Sequence, residues 1–221
     1  MKRIRPTAVV FDYGNVLSAP QGRDEIEAMA ALLNVSADAF LRAYWEQRLA
    51  YDEAALDPAA YWTQLAHRVS KSVGDHQLAA LRNLDNRSWT HPAPVLPQWA
   101  RAVHDAGLKT ALLSNMPTPV REYVERCDWL PPFHQRTFSC EVRIAKPAPE
   151  IFRHCLRGLG VEPSNVLFLD DRPENIQAAE TLGIHGIVYT TVERAAKELN
   201  QRFDIPVPLV ATLEDGNAQD S

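Results

Sequence analysis

Short unbroken apolar runs alternate with stretches of helical periodicity over residues 8–17 and again from about 95 to 192. Ala8, Val9, Val10 and Phe11 form a β-prone run without polar alternation, the pattern of a strand buried on both faces. Lys109–Ser114 (KTALLS), Val166–Asp170 (VLFLD) and Gly186–Tyr189 (GIVY) read the same way. Between them the spacing predicts helices at about 95–106, 119–127, 148–158, 174–182 and 192–200. Gly107, Gly160 and Gly183 stand where left-handed residues end such helices. Strand–helix alternation of this kind predicts an α/β core, a Rossmann-like parallel sheet covered by helices.

Residues 20–92 differ in texture, with no convincing strand. Ile26, Met29, Ala30, Leu32 and Leu33 recur at helical spacing. Ser36 is placed to cap a helix carrying Phe40, Leu41, Tyr44 and Trp45, and Asp57-Pro58 is a second start signal. Leu65 and Val69 share a face, and a fourth helix runs from about Asp75 through Leu78, Leu81 and Leu84. The expected organisation is a core domain from residues 1–19 and 93–205, an inserted four-helix cap over 20–92, and a polar tail over 206–221. Ala19-Pro20 and His91-Pro92-Ala93-Pro94 are the hinge candidates.

The 221 residues carry a net charge of −5, which favours neither nucleic acid nor an anionic membrane as a partner. No stretch approaches the roughly 20 apolar residues that span a bilayer, and the basic, briefly apolar start lacks a signal-peptide core. The expectation is a cytoplasmic protein, with oligomeric state unspecified. Cys127, Cys140 and Cys155 lack metal-ligand spacing and read as reduced, packed thiols, and the seven histidines show no ligand pattern.

Candidate chemistry gathers at the C-terminal ends of the strands, where ligands bind in open α/β sheets. Asp12 follows the first strand, although an Asp there also serves as a turn or helix-capping residue. Ser114 and Asn115 follow the second strand at a helix start, which suits phosphate oxygens but also an ordinary turn. Lys146 precedes Pro147 in RIAKPAPEIF. Asp170 and Asp171 end VLFLD, followed by Asn175. Adjacent carboxylates repel unless a cation lies between them, and such oxygen ligands suit Mg²⁺; Asp171 as a helix cap is the other reading.

In order and spacing, VVFDYGNVL, LLSN, the Lys of IAKPAPEIF and FLDDRPENIQAAETLGI resemble the four motifs of the haloacid dehalogenase-like (HAD) hydrolase superfamily. The likeness covers about residues 8–200 and points to the branch with a helical cap inserted after the first motif (subfamily I, C1 cap). The resemblance implies that Asp12 is a nucleophile forming an aspartyl-phosphate. Mg²⁺ would be held by Asp12, the Gly14 carbonyl and Asp171, with Asp170 and Asn175 steadying those ligands from behind. Ser114, the Asn115 backbone and Lys146 would neutralise the transferring group of a small phosphorylated metabolite.

Most phosphatases of that family read D-x-D in the first motif, the second Asp acting as general acid and base; here Gly14 stands there. Loss of a general acid costs roughly 10²–10⁴-fold where the leaving group needs a proton. FDYGNVL is similar to a D-x-G-N-V branch of sugar-phosphate phosphatases. The family's 2-haloacid dehalogenases also lack the second Asp, but work without metal and carry Ser where Asp170-Asp171 stand here, which favours the phosphatase. A weakly active or non-catalytic member that binds a phosphorylated ligand is the third expectation. WEQRLAYDEAALDPAAYW resembles the cap of the D-x-G-N-V branch. Within it Arg48 is a candidate substrate-binding residue, Tyr44, Trp45 and Trp62 are expected in the cap core, and Arg172 and Arg143 at the surface.

Overall fold

The computed structural model describes residues 3–208. Five parallel strands, β1 (Ala8–Phe11), β2 (Lys109–Ser114), β3 (Gln135–Phe138), β4 (Val166–Asp170) and β5 (His185–Val188), form one sheet in the order β3-β2-β1-β4-β5. Six α-helices lie between β1 and β2, the first five being α1 (Arg23–Leu32), α2 (Ala37–Glu46), α3 (Arg48–Asp52), α4 (Pro58–Arg68) and α5 (Asp75–Ser88). After α6 (Leu96–Asp105) the helices follow the strands: α7 (Thr118–Val124), α8 (Ser139–Val142), α9 (Pro149–Leu159), α10 (Pro173–Thr181) and α11 (Val192–Arg202).

Side chains of β1 alternate between two apolar layers, as the two-residue period of a strand requires. Val9 and Phe11 join Leu112, Leu167 and Leu169 beneath Trp99 and Val103 of α6 and Leu199 of α11. Ala8 and Val10 join Ala111, Leu113 and Phe168 beneath Ile151, Phe152 and Cys155 of α9 and Ile176 of α10. Covering both faces makes the strands uniformly apolar, and each large side chain so buried stabilises by about 1.5–3 kcal/mol. The three cysteines are free thiols.

Helices α1–α5 enclose their own apolar cluster around Met29, Phe40, Tyr44, Tyr61, Trp62 and Leu81. Ser36 and Asp57 cap α2 and α4 by accepting the N–H groups of Ala39 (3.3 Å) and Ala60 (2.9 Å). The two segments leading into and out of this bundle run side by side. Ala19 N–H donates to the His91 carbonyl (2.8 Å) and Ala93 N–H to that of Leu17 (2.9 Å).

Three elements differ from the sequence expectation. β3 is an edge strand whose first residues, Gln135 and Arg136, are polar and partly solvated, so it lacks the apolar run that marks the others. Gln47 (φ −121°) breaks the chain between α2 and α3, separating a five-residue helix from its predecessor. The tail expected over 206–221 lies outside the described residues beyond 208; Pro206 still belongs to the body, its carbonyl accepting from Trp99 Nε1 at 2.8 Å.

Candidate active site

Register places Asp12. Phe11 aligns with Leu112 of β2 on one side and Leu169 of β4 on the other, so the next residue emerges between the ends of these strands. Its N–H donates to the Leu169 carbonyl (2.9 Å). From here the chain order runs outward in both directions, the switch point at which open α/β sheets form a crevice.

Lys146 is buried beneath that crevice with all three ammonium protons engaged. Nζ lies 2.8 Å from Asp12 Oδ1, 2.6 Å from Asp170 Oδ2 and 2.9 Å from the Leu113 carbonyl. Burial alone would pull this ammonium down, but the Asp12 and Asp170 carboxylates outweigh it and hold the pKa above its ordinary value. Burial conversely pushes Asp12 up to about 7; Lys146 opposes that rise and Asp170 adds to it. Tyr13 N–H also donates to Asp12 Oδ1 (2.6 Å), so both described contacts fall on one oxygen of the carboxylate.

Asp170 is fully buried and saturated. Asn175 Nδ2 reaches both its oxygens (2.9 and 3.0 Å), and the Arg172 N–H donates to Oδ1 (2.8 Å). Asp171 turns outward, and its Oδ2 accepts from Asn15 Nδ2 (2.8 Å). Carboxylate oxygens of Asp12, Asp170 and Asp171 all lie within 4.8 Å of one another. Asn15 takes the left-handed conformation (φ 59°), which an Asn tolerates better than most residues, and this bend carries its amide to Asp171.

Asp12, Asn15, Ser114, Asn115, Lys146 and Asp171 line one cavity of about 250 Å³. Residues 45–52 and Trp89 close it from the helical insert: Trp45, Arg48, Leu49 and Asp52 contribute to that wall. Tyr13 OH donates to the Trp89 carbonyl (2.6 Å), tying the end of α5 to the turn behind Asp12.

A family model described as haloacid dehalogenase-like hydrolase matches residues 6–183. The chain belongs to this family. Phosphoglycolate phosphatase of Salmonella paratyphi A is 30% identical over 124 residues, 52% of this chain and 49% of the relative. Mouse acyl-CoA dehydrogenase family member 10 is 34% identical over 131 residues, 57% of this chain but only 12% of that protein. The chain thus spans half or less of these curated relatives. Among solved structures, a HAD family enzyme from Bacteroides thetaiotaomicron in complex with magnesium and inorganic phosphate matches with a TM-score of 0.66 at 22% identity, over 85% of this chain and 94% of that one. L-2-haloacid dehalogenase from Xanthobacter autotrophicus with covalently bound chloropropionic acid matches with 0.61 at 20% identity, over 89% and 83%. At these identities the likeness is one of fold.

The hydrolase brings Asp12, Ser114, Lys146, Asp170, Asp171 and Asn175 to one crevice. The Asn115 side chain has a task of its own. The amide is spent on Lys146, Nδ2 donating to its carbonyl (2.9 Å) and Oδ1 accepting its N–H (2.8 Å), which leaves the Asn115 backbone for a ligand. Arg48 lines the cavity, yet it is buried and already engaged. Its Nε donates to Asp52 Oδ1 (2.8 Å) and its Nη1 to Asp85 and Tyr44, whereas Nη2 has no described partner. Tyr44 and Trp62 are cap core as expected, but Trp45 is 43% exposed at the cavity, edge-on to Trp89 at 6.4 Å. Arg172 is exposed, but at the cavity mouth, its guanidinium 6.0 Å from the Trp45 ring.

Sequence reasoning did not single out Asn15 or Trp89 as site residues, and it noted Asp52 only within the aromatic cluster of the cap. For Asn15 the signal was present, a Gly-Asn turn directly after a strand-end Asp. Asp52 and Trp89 reach the site only because the insert folds back over it.

Proposed function

We propose that this hydrolase is a Mg²⁺-dependent phosphatase acting on a small phosphate monoester through an aspartyl-phosphate on Asp12. The observation that carries the reading is the cluster of three carboxylates, Asp12, Asp170 and Asp171, with an oxygen of each within 4.8 Å of the others, only the first two of them paired with the Lys146 ammonium. Such a concentration of negative charge is stable when a cation shares it, and an all-oxygen donor set fits Mg²⁺. Asp170 has no free oxygen, so Asp12, Asp171 and the Gly14 carbonyl are the groups that would hold the ion, with Asp170 and Asn175 fixing Lys146 and the loop behind them. Bound there, Mg²⁺ would offset the charge of the phosphoryl oxygens.

Each remaining task has a residue. Asp12 Oδ2, free of described contacts, is the attacking oxygen. Ser114 and the Asn115 backbone meet the phosphoryl oxygens, whose charge is what a protein must chiefly manage in this chemistry. Lys146, its three protons already engaged, adds positive charge from beneath and holds Asp12 instead of donating to the substrate. Arg48 Nη2 and the Trp45–Trp89 wall face the remainder of the ester, which a cavity of about 250 Å³ limits to a small molecule.

The competing reading is a 2-haloacid dehalogenase, supported by the fold likeness to such enzymes. Halide leaves carbon without metal or proton, so that chemistry gives no reason for the acidic cluster. A panel of phosphorylated metabolites with and without Mg²⁺, run beside 2-chloropropionate, separates the two. Mg²⁺-dependent phosphate release is expected, and metal-independent chloride release would overturn the phosphatase.

A further inference from the structure

The position where phosphatases of the family carry a second Asp is closed in this chain. A Cβ on Gly14 would come 3.2 Å from Trp89 Cζ3. The Trp89 ring is fixed, its Nε1 donating to Tyr44 Oη at 3.1 Å and its carbonyl held by Tyr13. A proton donor for the leaving group must therefore come from elsewhere. Among the described residues three carboxylates line the cavity: Asp12, Asp171 and Asp52. The proposed function already employs the first two.

Asp52, the last residue of α3, lines the cavity from the helical insert. Ser139 Oγ donates to its backbone carbonyl (2.6 Å) while accepting the N–H of Met116 (3.0 Å), the residue directly after Asn115. Two hydrogen bonds thus fix its height above the loop that carries Ser114 and Asn115. On the side chain, Oδ1 accepts from Arg48 Nε, and Oδ2 has no described partner.

Charge balance sets its protonation. A single guanidinium, Arg48, lies between two buried carboxylates, Asp52 and Asp85. Asp85 also accepts the Tyr44 hydroxyl (2.6 Å). One cation facing two anions leaves an excess negative charge, which burial penalises and a proton on Asp52 relieves. Burial raises the Asp52 carboxyl to about 6 against the pull of Arg48, with Asp85 adding to the rise and Arg172 opposing it. Tyr61 of α4 and Cys140 of α8 are the other titratable groups facing it.

We propose that Asp52 is the general acid and base of this hydrolase, supplied by the helical insert in place of the carboxylate missing at position 14. The inference rests on the phosphatase reading above. As Asp12 Oδ2 bonds to phosphorus, the phosphorus–ester oxygen bond breaks, its electron pair stays on that oxygen, and the oxygen takes the proton from Asp52 Oδ2. The alcohol leaves. Asp52, now a carboxylate, removes a proton from the water that attacks the aspartyl-phosphate, which regenerates the acid and releases inorganic phosphate and the Asp12 carboxylate.

The test compares two esters of like shape, p-nitrophenyl phosphate, whose leaving group needs no proton, and phenyl phosphate, whose leaving group does. In Asp52→Asn, kcat/KM should fall about 10²–10³-fold for phenyl phosphate and less than about tenfold for the nitrophenyl ester. Equal losses on both esters would reduce Asp52 to a structural role and overturn the proposal. Wild-type pH profiles give a second reading that does not depend on the variant folding. The phenyl ester should lose rate as Asp52 deprotonates on the alkaline side, while the nitrophenyl ester should not; identical profiles would overturn the proposal. A wild-type protein that hydrolyses neither ester, with or without Mg²⁺, overturns the phosphatase reading itself, whereas activity without leaving-group discrimination overturns only Asp52.

Discussion

Asn115 and Lys146 clasp one another backbone to side chain, the amide of one closing a two-hydrogen-bond ring on the peptide groups of the other. This ring joins the end of β2 to the loop before α9 and sets where the Lys146 ammonium emerges between Asp12 and Asp170. Asn115→Ala should therefore cut turnover by about 10–100-fold, the range for supports behind a reactive centre. Asn115→Asp should also impair it, because a carboxylate cannot donate to the Lys146 carbonyl. Steady-state kinetics of both variants, beside their melting temperatures, check this.

Asp12→Asn should abolish turnover by roughly 10⁴-fold or more, the scale of losing a covalent nucleophile. Secondary structure should persist, because the amide retains an oxygen for Tyr13 N–H and Lys146. Circular dichroism with a phosphate-release assay checks both halves. Rapid acid quench of the wild type should trap the phosphoryl group on protein, and the variant should trap none.

Chelation of divalent metal should silence turnover, and Mg²⁺ should restore it. Binding to the folded state alone raises the melting temperature, by about 2.7 kcal/mol of stability at a hundredfold excess over Kd. Asp171→Asn should shrink that thermal shift and shift the Mg²⁺ dependence to higher concentration. Asp171 is partly solvated, so the variant should fold normally; thermal melts across an Mg²⁺ titration read both effects.

Gly14→Ala should destabilise the protein by about 1–3 kcal/mol, the usual cost of overpacking, because the new methyl presses on the Trp89 ring at 3.2 Å. The backbone at Gly14 (φ −62°, ψ 132°) accepts any residue, so the cost is steric. Pairing it with Trp89→Leu should recover much of the loss, which denaturant melts of the single and double variants measure.

The core was legible because strands covered on both faces have nowhere to place polar side chains. Hence β1, β2, β4 and β5 stand out as apolar runs, and those of β1, β2 and β4 end beside residues that reach the crevice. β3 escaped because an edge strand opening on Gln135 and Arg136 tolerates polar side chains. Asp12 and Asp170 were legible through their place at strand ends, and Lys146 through its place before Pro147 at a helix start. That Asn115 serves Lys146 depends on two loops meeting, and nothing local to LLSN encodes it. Arg48, singled out in the sequence, does line the cavity, but a sequence cannot show that Asp52, Asp85 and Tyr44 converge on it.

Ser139 and Glu53 give the insert a grip on the machinery beneath. Ser139 Oγ joins the Asp52 carbonyl to the Met116 N–H, and Glu53 Oε1 accepts the N–H of Ala145 (3.0 Å), the residue before Lys146. Lifting the insert would unhook both loops at once, the one carrying Ser114 and the one carrying the lysine. Entry of a substrate and disarming of the site are thereby geared to the same movement, so an open enzyme would be an idle one.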